Sequence, residues 1–479
     1  MERSSVTGAN KSVPSAAAKM SEWECGSRKT GSHGRMNTTA QVEFPFAGRR
    51  RVRAVFDGGA ISSDGGALLL GQIESRIHLI ESLAAVLPDH RDPRYVTHSV
   101  GDLVRQRVMG IALGYEDCND AATLRRDPVL KTLCGREPFD DNDLGSQPTL
   151  SRLENSIGPK TCYRLAATLV DSYCTRHKKR PREVVIDMDL TDDPTHGQQE
   201  LAFFRSHYDN YVYLPLLVFD QEGDLITAVL LPGNVQGPKH IAKIIRRIIL
   251  RLRAKWAQVP VLVRGDSGMS GPEIYDLCDE LDVDFVLGLA PNVRLKKMAA
   301  PLQEKARRRF LRTRKKARLF TSFRYRARRR WQRSYRVVAK AEHQEQGPNV
   351  RFVVTTLGGR AADIYDKRYV PRGESSENSI KDFKRALKGD RLSCSRFWAN
   401  QFRLILHAAA YVIAYELRRA ARGTELEDVQ MDTLRMRLLK VGVRVESTAR
   451  RIWFHLSSSF AWKGLWLRIA RILSPEPAT

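Results

Sequence analysis

No apolar run in this 479-residue chain approaches the roughly 20 residues a membrane-spanning helix needs. The longest, LILHAAAYVIAY from Leu404 to Tyr415, is short and contains His407. The first forty residues lack the apolar stretch of a secretory leader. Cysteine is sparse. The seven residues Cys25, Cys118, Cys134, Cys162, Cys174, Cys278 and Cys394 are odd in number and never spaced as CxxC, so neither a disulfide framework nor a zinc knuckle is indicated. These absences predict a reduced protein of the cytoplasm. Acids are few beside bases: 54 Asp+Glu against 80 Lys+Arg give a formal charge of +26 and a pI near 10.0. That balance is the footprint of a chain that meets nucleic acid.

Residues 1–40 also lack a hydrophobic period, and their Ser, Gly, Lys and Thr predict disorder. Met36, just before the first apolar segment, is an alternative start. Residues 41–180 read as mainly helical. HSVGDLVRQRVMGIALG places Val100, Leu103, Val104, Val108 and Ile111 on one face and stops at Gly114. Its other face shows Arg105, so this region is either a DNA-binding candidate or a supporting bundle. Residues 181–291 alternate strands and helices: strands at 184–190, 211–220 and 225–231, a helix from Pro238, a strand at 259–264, a helix near 272–281 and a strand at 283–289. The helix has an apolar stripe of Ile241, Ile244, Ile245, Ile248, Ile249, Leu252 and Trp256 against a basic face.

Residues 292–360 break the rhythm as a basic insertion. Lys305 to Arg336 holds 16 Lys/Arg and no acid, interleaved with Phe310, Phe320, Phe323, Tyr325, Trp331 and Tyr335. A solvated charged face is the plain explanation. The interleaved aromatics favour nucleic-acid contact, with Arg328, Arg329, Arg330 and Trp331 as candidates. VRFVVTTL (Val350 to Leu357) reads as a returning strand. Residues 361–425 are helical, and 426–479 form a C-terminal region with Trp453, Trp462 and Trp466.

Three acids stand where an α/β core would hold a divalent cation: Asp189 ending VVIDMDL, Asp266 ending VLVRGD, and Glu377 opening ENSIKDFK. An acid at the end of an apolar strand is costly unless a cation or partner compensates it. Strand alternation puts Asp187 and Asp189 on one face, and Asp189 is preferred because sites in open α/β sheets gather at carboxyl ends. Asp192 and Asp193 read as turn acids before Pro194, and His196 as a loop residue. Glycines flank Asp266 and allow a phosphate close approach. Glu377, Lys381 and Lys384 share a helical face, which an ordinary surface Glu-Lys pair would also produce.

Together with ISSDGGALLL, DHRDPRYVTHSVGDLVRQRVMGIALGYEDCND, TLSRLEN, DMDLTDDPTHGQQE, VRGDSG, YVPRGESSENSIKDFK and RLSCSRFWANQFRLILHAAAY, these segments resemble the DDE insertion-sequence transposases. The branch is the one with a Tyr-Arg-Glu-Lys signature and a group 1 DDE transposase domain. The resemblance runs from about Ile61 to Arg422. It implies an α/β fold: a ribonuclease-H-like catalytic core with a β-rich basic insertion, a mainly helical N-terminal region and a helical C-terminal region. It makes Asp189, Asp266 and Glu377 the catalytic triad and the ligands of two Mg²⁺ ions, for which Mn²⁺ can substitute. Tyr369, Arg372, Glu377 and Lys384 match the signature, with Lys381 a further phosphate contact. The implied activity is Mg²⁺-dependent cleavage at terminal inverted repeats and strand transfer, by cut and paste. The partner would be double-stranded DNA, with a homodimer in the synaptic complex, no membrane, and a cytoplasmic, nucleoid-associated location in a bacterium. A structure-selective nuclease on the same fold and an inactive DNA-binding relic remain alternatives. One spacing departs from the family. Gly373, Glu374, Ser375 and Ser376 separate Arg372 from Glu377 where three residues are usual, while the six residues between Glu377 and Lys384 are kept. The expectation is that the extra residue sits in a loop before a helix capped by Ser375 or Ser376.

Overall fold

The computed structural model describes residues 41–474, except 45, 47–49, 51, 141, 207, 328 and 329. The predicted disordered tail, Met36, Arg328 and Arg329 lie outside the described residues. Two units are distinguished, one ending at Gly59 and one beginning at Ala60. The first contains an antiparallel hairpin of β1 (Gln41–Phe44) and β2 (Val52–Val55).

The second unit opens with β3 (Ile61–Ser62) and then a helical stretch: α1 (Leu68–Ile77), α2 (Leu79–Ala84), α3 (Val100–Leu113), α4 (Ala121–Leu124), α5 (Pro128–Leu133), α6 (Gln147–Ser156) and α7 (Pro159–Arg176). The α3 helix starts on a reciprocal capping box between Ser99 and Asp102 and ends at Gly114, whose φ of 98° needs a residue without Cβ. Strands follow: β4 (Val184–Leu190), β5 (Asp193–Pro194), β6 (Phe203–Arg205), β7 (Asn210–Phe219) and β8 (Leu225–Leu231). Then come α8 (Lys239–Lys255), β9 (Val261–Gly265), α9 (Pro272–Glu280), β10 (Asp284–Leu289), α10 (Val293–Thr313), β11 (Ala317–Tyr325), β12 (Tyr335–Gln344) and β13 (Gly347–Thr355). The chain closes with α11 (Ala361–Asp363), α12 (Val370–Lys381), α13 (Phe397–Ala420), α14 (Met431–Leu438), β14 (Val443–Thr448), β15 (Arg451–Leu456) and α15 (Lys463–Leu473).

One large mixed sheet organises the unit in the order β11-β12-β13-β10-β9-β4-β7, with β8, β5 and β6 also on β7. The strands β4, β9 and β10 are parallel to one another, while β7, β8 and β13 join antiparallel. Alternation along β7 explains the layering. Val212, Leu214, Leu216 and Val218 pack with the isoleucines of α8, whereas Tyr213, Leu217 and Phe219 pack with α13 and the N-terminal helices. The α13 helix is apolar around nearly its whole circumference because sheet and helices enclose it.

Three expectations need correction. The basic insertion is not wholly β-rich, since its first part is the 21-residue helix α10. The C-terminal region is not wholly helical: β14 and β15 form a hairpin, and β14 pairs with β3 near the start of the unit. No loop precedes Glu377. Residues Ala361 to Ala386 run as helix without a break, with wide π-turns at Ile364–Tyr369 and Asp382–Ala386 on either side of α12. Among the described residues, no helix is long and apolar enough to cross a membrane.

Candidate active site at the ends of two parallel strands

The register of β4 on β9 brings the first two acids together. Asp187 lies beside Arg264 in the parallel ladder, so two residues further along each chain Asp189 and Asp266 meet at the carboxyl end, on the same face. Neighbouring strands stand about 4.8 Å apart. The Asp266 carboxylate accepts from the backbone N–H of Gly268 at 2.9 Å and of Met269 at 3.2 Å, which fixes its turn. Burial pushes the Asp189 carboxyl up to about 6; the Arg372 guanidinium opposes this and the Asp266 charge adds to it. Arg372 Nη1 donates to Asp189 Oδ2 at 3.2 Å.

Beneath this pair, Asp187 is fully buried and bidentate on Arg264 at 2.5 Å. Arg264 Nη1 also donates to the carbonyl of Arg368 at 3.0 Å. One guanidinium therefore ties β4, β9 and the π-turn before α12. Asp187 is spent on Arg264, and Asp189 is the carboxylate left at the mouth.

The Tyr369 hydroxyl and the backbone of Asp266 and Ser267 all approach Gly288, so closely that a Cβ at 288 would clash with each. Burial raises the Tyr369 hydroxyl pKa, and Arg372 and Asp266 are its charged neighbours. Lys384 Nζ donates to Thr191 Oγ1 at 3.1 Å and the Asp192 carbonyl at 2.7 Å. Tyr369, Arg372 and Lys384 thus gather on the ends of β4 and β10.

Glu377 does not join them. It is 67% exposed and paired with Lys381 Nζ at 2.7 Å, and the hydrogen bond and charge of that ammonium hold its carboxyl below the usual range. Trp331 corrects another expectation: it is buried among Tyr275, Tyr325 and Tyr335, at centroid distances of 5.1, 5.3 and 5.8 Å. Tyr325 and Tyr335 are buried too, so these rings are the hairpin's own core rather than a stacking platform. Arg330 remains outside, as do Lys305, Arg307, Arg308, Arg309 and Arg312 on α10.

Sequence reasoning missed Arg264, read only as a neighbour of Asp266, and Tyr208, which sits near the charges of Asp189, Asp192 and Asp266. It also misjudged Asp193. That side chain is buried on β5, neither carboxyl oxygen has a hydrogen-bond partner among the described residues, and burial pushes it up to about 9. A separate group, His177, Asp220 and Asp224, has ligand atoms within 4.8 Å of one another. Arg176 already fills it, donating to both Asp224 oxygens at 2.7 and 2.6 Å and to Glu416 at 3.1 Å, and Tyr173 donates to Asp220. This is a structural node.

The family described as Transposase DDE domain group 1 matches residues 44–477. The chain belongs to that transposase family. The match takes in the helical N-terminal stretch, the sheet with its insertion and the C-terminal hairpin together. No curated protein matches the chain. Among solved structures, the piggyBac transposase synaptic complex with hairpin DNA is similar at 13% identity over 87% of each chain, with a TM-score of 0.41. The Mos1 mariner paired-end complex with Mn is similar at 14% identity over 42% of this chain and 61% of that one, with a TM-score of 0.17. As a member of a DDE transposase family, the chain is of a class that cleaves and transfers DNA strands.

Proposed function

We propose that this transposase cuts DNA at the terminal inverted repeats of its own element and joins the freed 3′ ends to target DNA, by cut and paste, with Mg²⁺ or Mn²⁺. The observation that carries the proposal is the parallel register delivering Asp189 and Asp266 to one strand end, inside a family match spanning most of the chain. The order β8-β7-β4-β9-β10, three antiparallel strands and then two parallel ones reached through helices, supports a ribonuclease-H-like core.

The residues present fit a divalent cation in part. Asp189 and Asp266 fit: two close carboxylates, one partly desolvated and leaning on Arg372, are what a cation would compensate. Glu377, the third ligand implied by the resemblance, stands outside and must move to join them. When bound, such cations activate water and stabilise the leaving 3′-oxygen. The chain's own groups do the rest. Arg372 and Lys384 exchange Asp189 and Asp192 for DNA phosphates, Tyr369 braces the Asp266 turn, and the exposed bases of α10 hold the duplex backbone. Paired element ends call for two copies of the chain, a homodimer.

A cleavage and strand-transfer assay on DNA carrying the element's ends, with Mg²⁺, tests this. Wild type should nick and join, while Asp189→Asn and Asp266→Asn should bind the ends and do neither. Cleavage without joining would make the chain a structure-selective nuclease. Binding without Mg²⁺-dependent nicking would make it a relic.

A further inference from the structure

The C-terminal hairpin of β14 and β15 has one dry face and one wet face. Ile452, Phe454 and Leu456 turn inward and pack on the helical core, with Val443 and Val445 buried beside them on β14. Strand alternation therefore turns Arg451, Trp453 and His455 outward, opposite Thr448, Glu446 and Arg444. The pairing of β14 with β3, and a bond of 3.3 Å from the Ser447 hydroxyl to Glu137, hold the hairpin to the rest of the unit.

On the outer face a large apolar ring stands in water. Trp453 is 49% exposed, the most exposed tryptophan among the described residues. A single exposed apolar side chain needs no explanation, but this one belongs to an ordered group. The Trp453 and His455 rings lie within 19° of parallel, with centroids 6.3 Å apart. The Arg451 guanidinium lies over the Trp453 ring at 6.0 Å. Glu446 pairs with His455 Nε2 at 3.2 Å and with Arg444, which orients the imidazole and neutralises the one acid among these outward residues. Arg450, in the turn of the hairpin, and Arg451 have no acidic partner among the described residues.

Parallel ring faces with cations beside them are what unpaired bases stack on. Duplex bases are already covered by their neighbours, so a double helix offers no face to the rings. A second copy of the chain, at +26, would bring more positive than negative charge to two unpaired arginines. We propose that the outer face of the β14–β15 hairpin binds single-stranded DNA, with unpaired bases on Trp453 and His455 and phosphates on Arg450 and Arg451. The inference rests on the proposed function in taking DNA as the partner, and deepens it, since cutting and joining expose strand ends whose bases can unpair. The contact lies on a three-stranded sheet separate from the one that delivers Asp189 and Asp266.

Fluorescence anisotropy on the full chain without divalent cation tests it. The probes are a labelled oligothymidylate, an abasic strand of the same length and the corresponding duplex. Wild type should bind the oligothymidylate about tenfold tighter than the abasic strand. Trp453→Ala should lose most of that preference and leave abasic and duplex affinity unchanged, whereas Trp453→Phe, which keeps a ring, should retain it. Arg450→Gln should weaken both single strands and flatten their log-log salt dependence by about 0.7 unit. A Trp453→Ala protein that keeps the base preference overturns the inference, as does one that loses duplex affinity equally. A change in its sedimentation with the preference intact would make the face a contact between copies instead. Asp189→Asn separates the two levels: it should abolish strand transfer and keep the base preference, so the failure of either reading shows without the other.

Discussion

Arg264 offers the sharpest test of how the site is built. Its guanidinium compensates Asp187, which is fully buried, with two bonds of 2.5 Å, and reaches the Arg368 carbonyl at 3.0 Å. Removing one member of such a pair strands a charge in the interior and costs about 3–5 kcal/mol, whereas replacing both by apolar groups is often neutral. Arg264→Met should therefore lose about 3–5 kcal/mol, as should Asp187→Leu by stranding Arg264. The double variant should recover most of that loss. With a urea dependence near 3 kcal/mol per molar, each single variant shifts the unfolding midpoint down by about 1–1.7 M. Far-UV circular dichroism across a urea series measures this. Singles within about 0.3 M of wild type, or a double variant as weak as the singles, would refute the claim that this pair is a mutually compensating buried unit. Strand transfer gives a second reading. The double variant should fold yet join poorly, because the tie from β9 to the helix of Tyr369 and Arg372 is gone.

Other outcomes follow from the same structure. Trp331→Ala should cost about 3–5 kcal/mol of stability, read by thermal melting, and leave DNA affinity of the folded protein unchanged; weaker binding at unchanged stability would return Trp331 to the DNA surface. Changing Arg307, Arg308, Arg309 and Arg312 to Gln should flatten the log-log salt dependence of DNA binding by roughly one unit per lost phosphate contact. An unchanged slope in fluorescence anisotropy would turn that face of α10 away from DNA. Glu74 is buried and pushed up to about 7, chiefly by desolvation. A raised folded-state pKa in an acid means that stability is greatest below the unfolded value of 4.5 and declines as pH rises to about 7. Glu74→Gln should remove that decline, gaining on the order of 2–3 kcal/mol at pH 8 and little at pH 4. Parallel wild-type and variant curves would refute it.

Much of the core was legible because its signals are local. The apolar stripe of α8 and the capping box and terminal glycine of α3 mark those elements in the sequence, and β4 and β8 fall where β-branched runs place them. What escaped depends on partners distant in sequence. Nothing around Asp187 says that Arg264, 77 residues on, lies beside it and takes up its carboxylate. Arginines alternating with aromatics describe both a base-stacking strip and a sheet with one wet face; the fold chose the second for Trp331 and Tyr335. Gly373 and the two serines read as a loop, and Pro371 just before them lacks the N–H that continues a helix. The wide turn just before Pro371 accommodates it, so the helix runs on and carries Glu377 past the site.

The basic insertion is hydrogen-bonded to the carboxylate strands through an unbroken ladder, β9 to β10 to β13 to β12 to β11. A tethered arm could sit at any distance from its anchor; under the proposed function this one is a ruler with fixed divisions. Four strand spacings of about 4.8 Å put β11 about 19 Å from β9, or about six base pairs at 3.4 Å each. A backbone held at that edge would set by rigid length which phosphate reaches Asp189 and Asp266.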